Sequence, residues 1–158
     1  MDYLAVQGFW VCTGVGILSL ISLALTGQPI AGAFTFLLFH FGGVGVREHN
    51  PFAAAVMLIS FAIDTLLSGI GVVRIIIGAL LLSNFRATWI ADRWEQNSEE
   101  AALPLRLGQT FSDKLSDKWP MFIWPKVKII YYIFSFGYLA VTVAGLIIMN
   151  LRGPAGPR

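Results

Sequence analysis

Few side chains in this sequence could do chemistry, and most of them stand in or beside long apolar runs. His40 lies near the middle of the run 30–46. A neutral imidazole can ligate haem iron or a chlorin magnesium. Gly43 and Arg47 follow it at spacings of three and seven, which puts all three on one face of a helix. Gly43 would let a neighbouring helix or a flat ligand approach that face. A bis-histidine haem needs its second histidine on another helix. The other histidine, His49, is on the same segment and about 13 Å further along at 1.5 Å per residue. That argues against a self-contained cytochrome. A single-ligand pigment, an interchain ligand and a plain hydrogen-bonded bundle histidine all stay open, so the cofactor is unassigned.

Asp64 and Arg74 are charged residues inside apolar sequence. A charge at the centre of a membrane helix costs roughly 2.5–3.5 kcal/mol on insertion scales, so each is a functional candidate by default. One reading is a proton or ion relay. The other is a salt bridge that pins two helices, or side chains that snorkel to water. Arg47, Glu48 and His49 form a compact polar cluster. It reads as a solvated turn on the inner side, with an acid–base role beside the headgroups as the alternative.

The remaining inventory is poor in chemistry. Glu99-Glu100 has no histidines beside it to complete a metal site. No serine sits in a Gly-x-Ser-x-Gly context, and Walker A, Cys-x-x-Cys and His-Glu-x-x-His sequences do not occur. The single cysteine, Cys12, has no intrachain partner and reads as a small buried hydrophobe. The reading therefore leans away from an enzyme.

The elements that position these residues follow from composition. Of 158 residues, 56% are hydrophobic and 13% are charged. Soluble domains carry roughly 25% charged residues. A net charge of +2 is too small to argue for nucleic acid. About 20 consecutive apolar residues span a bilayer as a helix. The expected fold is an all-α polytopic transmembrane bundle in a single membrane domain, 1–158. The expected spans are about 4–25, 30–46, 51–67, 72–91 and 126–149. The N-terminus lacks the positive region of a secretory signal, so the first run is expected to remain as a span.

The turns have local causes. Gly27 suits a helix C-terminus, and Pro29 suits the first turn of the next helix. Asn50-Pro51 combines a capping side chain with a proline at the first helical position. As one helix, residues 51–91 would run on the order of 60 Å, about twice the hydrocarbon thickness. Ser68-Gly69-Ile70-Gly71 offers a turn there, giving a hairpin and five spans; an unbroken helix gives four. In the hairpin Asp64 and Arg74 face each other. In the long helix they cannot touch.

Residues 92–124 are the extended polar stretch. Leu107, Phe111, Leu115 and Trp119 recur every four residues within it, which predicts an amphipathic helix lying in the interface. Pro120 and Pro125 bracket what reads as a bent re-entry segment. Lysines and arginines concentrate between Arg86 and Lys128, which puts this loop in the cytoplasm, with Trp89, Trp94, Trp119 and Trp124 as an inner aromatic belt. The location is then an inner, cytoplasmic membrane.

Small residues supply packing surfaces: Gly43 on the second span, and Gly137, Ala140 and Ala144 on the last. In lipid such residues let backbones approach closely. They serve either packing inside the bundle or packing against other membrane subunits or a second copy. The functional expectation is an accessory or scaffold subunit of a larger membrane complex, in contact with the lipid bilayer. Two alternatives stand beside it: a small oligomeric transporter or channel using Asp64, Arg74 and His40, and a pigment- or haem-carrying subunit using His40.

Overall fold

The computed structural model describes residues 2–97, 111 and 114–151. They form five α-helices and no strand: α1 (Asp2–Leu25), α2 (Pro29–Arg47), α3 (Pro51–Ser68), α4 (Val72–Asn97) and α5 (Trp119–Leu151), with a π-helical turn at Lys114–Lys118 leading into α5. Four of the helices are long and apolar enough to cross a membrane, and Pro51–Leu67 in α3 is a shorter apolar helix. The Leu107 start of the expected interfacial helix, the Glu99-Glu100 pair and the tail from 152 lie outside the described residues.

Short connections force antiparallel neighbours. After α1, the Gln28 N–H donates to the Leu23 carbonyl at 2.7 Å and the Gly27 N–H to the Ala24 carbonyl at 3.1 Å, closing the helix end before Pro29 starts α2. After α2 the chain reverses within three residues. His49 takes a left-handed φ of 53°, and the Asn50 N–H donates back to the Gly45 carbonyl at 2.9 Å. The Asn50 side chain then accepts from the Ala53 N–H at 2.9 Å and caps α3, as Asn-Pro requires. Between α3 and α4, Gly69 has φ 94°, a conformation that disfavours any Cβ. The break comes where the glycines stand.

The chain thus shuttles between two ends. The starts of α1, α3 and α5 and the finishes of α2 and α4 share one end, here the Arg47 end. The α1–α2 loop and the Gly69 turn share the other. The direction of α5 is set by its partners: Trp124 lies against Gly45, whereas Phe134 and Tyr138 meet Phe34 at the opposite end of α2.

The centre of the bundle is α2, which touches each of the other four helices. Its C-terminal half, from Gly42 to Arg47, is buried throughout. Gly43 packs on the Cys12 Cβ and the Phe9 carbonyl of α1. A Cβ added to Gly45 would stand 2.5 Å from both the Ala53 Cβ and the Trp124 ring. Three helices therefore reach the α2 backbone within two turns, closer than larger residues allow.

Two helices run past the bounds expected for their spans, and one expected bend is replaced by helix. The final helix starts at Trp119 rather than 126, and 119–125 continue it instead of forming a bent re-entry segment. Pro125 lies inside the helix. It removes a single backbone hydrogen bond in the second turn, and membrane helices tolerate such a proline because neighbouring groups satisfy the freed carbonyl. Likewise α4 runs on to Asn97, past the expected end at 91, because residues 92–97 contain no glycine or proline to stop the helix.

Candidate functional site

The polar residues singled out above divide among three places. At the Gly69 end, Arg74 Nη2 stands 3.5 Å from Asp64 Oδ2. Arg74 Nη1 also donates to the Asp64 and Gly69 carbonyls, each at 3.2 Å. The guanidinium therefore sits at the C-terminal end of α3, where the helix dipole favours a cation. Both side chains remain partly exposed.

His40 is elsewhere. Counting from the Arg47 end at 1.5 Å per residue, it lies about 10 Å deep and Asp64 about 20 Å. Its Nδ1 is 3.2 Å from the Thr13 hydroxyl of α1. The imidazole stacks on Phe36 at 5.5 Å and 11°, with Phe9 edge-on at 5.8 Å. This is a half-buried histidine in an aromatic cage, and its described partners differ from those of Asp64 and Arg74. Among the described residues no three His, Cys, Asp or Glu side chains gather as a metal site.

The densest polar cluster is at the Arg47 end. The expected solvated turn is not solvated: Arg47 is 0% exposed and His49 is buried, with Glu48 half-buried. The reason is tertiary. The π-helical turn folds over the end of α2 and brings Asp117, seventy residues away in sequence, onto the guanidinium. Arg47 Nη2 lies 2.7 Å from Asp117 Oδ1, and Arg47 Nε donates to the same oxygen at 3.2 Å and to the Ser116 carbonyl at 3.1 Å. A charge held in this way has exchanged water for a carboxylate and a carbonyl, which is the condition for burying it at all. Next to it, Asn50 Nδ2 donates to the Tyr132 hydroxyl at 2.8 Å, while its Oδ1 holds the cap of α3. Tyr132 packs edge-on against Phe52 at 4.8 Å. One asparagine thus joins the α2–α3 turn to α5.

Asn84 completes this end. Its side chain is buried on α4 against Gly8 of α1, and neither end of the carboxamide is hydrogen-bonded among the described residues. Its backbone carbonyl accepts from the Thr88 hydroxyl at 2.8 Å. Sequence reasoning passed over Asp117, Asn84 and the Asn50–Tyr132 pair. Asp117 lies between the apolar positions of the stretch expected to form the interfacial amphipathic helix. A lone uncharged asparagine within an apolar run, the signal for Asn84, was available.

The small residues separate too. Gly43 packs inside the bundle, but Gly137, Ala140 and Ala144 are exposed, and a Cβ on Gly137 would meet nothing within 4 Å. Internal packing of that stripe is therefore excluded among the described residues. Beyond Ser135, α5 still meets Phe52 through Phe136 and Phe34 through Tyr138, while its Gly137, Ala140 and Ala144 positions turn outward.

Chemically, the Arg47 cluster is a clamp. It neutralises charge, caps helices and joins α2, α3 and α5, and its guanidinium is sealed from any diffusing substrate. No protein-family model matches the chain, and no curated protein or solved structure is significantly similar to it.

Proposed function

We propose that this membrane protein is a non-catalytic accessory or scaffold subunit of a larger membrane assembly, with all five helices crossing the bilayer. One observation carries the reading: the second half of α5 presents Gly137, Ala140, Val141, Ala144 and Ile148 outward, with no described helix against them. Small residues at helix spacing exchange little lipid contact for close backbone approach when a second helix arrives. The clamp at the Arg47 end supports it, since the buried charge there serves architecture. At 1.5 Å per residue, the 18 residues of α3 reach about 27 Å, close to the hydrocarbon thickness. Arg93, Lys118, Lys126 and Lys128 belong to the Arg47 end and Arg74 to the other. The positive-inside rule then puts the Arg47 end in the cytoplasm of an inner membrane.

The test is photocrosslinking in native membranes from a reactive residue placed at Ala144, with one at Leu66 as the control. A discrete adduct to one membrane protein from position 144, absent from position 66, is the expected result. A chain that yields lipid adducts alone, and elutes from mild detergent as a monomer, overturns the proposal.

A further inference from the structure

At the start of α5, an open groove of about 400 Å³ is lined by Phe111, Leu115, Lys118, Trp119 and Phe122. Its aromatic walls are exposed, Phe111 at 81% and Phe122 at 61%. Lys126, one turn beyond Phe122, lays its ammonium 3.5 Å from the centre of the Phe122 ring. Lys118 thus lines the groove one turn before Phe122, and Lys126 stands one turn after it. Both are exposed, and no described carboxylate pairs with either; the nearby Asp117 is committed to Arg47. Along the same stripe of α5 come Ile129 and Ile133, spaced at three and seven from Lys126 and both exposed.

The order along this stripe is cation, aromatic, cation, then aliphatic. A phospholipid standing beside α5 runs the same way, from an anionic headgroup at the level of the two cations and the aromatic rings to an acyl chain beside the aliphatic residues. We propose that this groove binds an anionic phospholipid, its phosphate between Lys118 and Lys126 and one acyl chain along Ile129 and Ile133. The charge complementarity selects an anionic over a zwitterionic headgroup. This site is independent of the partner reading of the distal half of α5.

The experiment uses the full chain in nanodiscs of mixed phosphatidylglycerol and phosphatidylcholine, with native mass spectrometry counting the lipids retained. A basic residue near an anionic surface contributes a factor of about five, so two contribute about thirtyfold preference for phosphatidylglycerol. K118Q/K126Q should bring the preference to within about twofold of unity. K118R/K126R should keep it, as should K128Q, whose side chain lies on another face of α5. Both lysines are exposed, so retained thermal stability of the glutamine variant will show that the fold persists. The proposal is overturned if K118Q/K126Q keeps the native preference. It is overturned equally if K128Q lowers it as far, which would mean a diffuse surface field. Displacement of the lipid by inorganic phosphate at matched concentration would also overturn it, because the acyl contacts would then contribute nothing.

Discussion

Replacing Asp117 with asparagine leaves the Arg47 guanidinium charged and sealed, with its carboxylate gone. Arg47 is fully buried, and the Asp117 side chain is 16% exposed. Two unit charges about 4 Å apart attract by roughly 4 kcal/mol at an effective dielectric constant of 20. Breaking a buried pair by removing one partner costs about 3–5 kcal/mol. The Ser116 carbonyl continues to accept from Arg47 Nε, and an asparagine oxygen could still accept one bond, so the lower figure applies here. A loss of about 3 kcal/mol lowers the folded-to-unfolded ratio roughly a hundredfold. Unfolding in mixed micelles with a rising fraction of sodium dodecyl sulfate measures it. Tryptophan fluorescence is a suitable probe because Trp124 rests on Gly45, two residues from Arg47. The paired variant R47M/D117L removes both charges and fills the space with apolar atoms, so it should recover most of the lost stability. The reasoning is refuted if D117N stays within about 0.5 kcal/mol of the native protein, the range of an ordinary surface substitution. It is also refuted if the paired variant is no more stable than D117N alone.

Gly45→Ala should destabilise the bundle by about 1–3 kcal/mol through overpacking against Ala53 and Trp124, whereas Gly137→Ala, in open space, should be neutral or stabilise by up to about 1 kcal/mol in the same titration. Asn84→Leu should stabilise by about 1–3 kcal/mol, because it removes buried polar atoms that lack described partners; a loss of stability would mean that the carboxamide is engaged. Asp64→Asn should change stability by no more than about 1 kcal/mol, since the pair with Arg74 is partly exposed. Ion or solute flux in proteoliposomes should be the same for D64N and the native chain, and a drop in flux would favour the transporter reading.

The sequence by itself determined the class of the fold and nearly every turn. Apolar runs of membrane length, Gly27 before Pro29, Asn50 before Pro51 and the glycines at 69 and 71 act through neighbouring backbone, so their consequences are local and legible. The meeting of Asp64 and Arg74 followed from the turn between them. His40 was legible as a polar candidate inside an apolar run, although its Thr13 partner lies on another helix. What the sequence could not carry was contact across many residues. Asp117 and Arg47 are far apart in the chain, and each looked solvated within its own polar stretch. Only the folding of the π-helical turn over the end of α2 sealed them together. The same cause separates Gly43 from Gly137. Both are small residues on apolar helices, and local pattern treats them alike. Tertiary packing set one beneath α1 and left the other facing outward, with no described atom within 4 Å of a Cβ placed there.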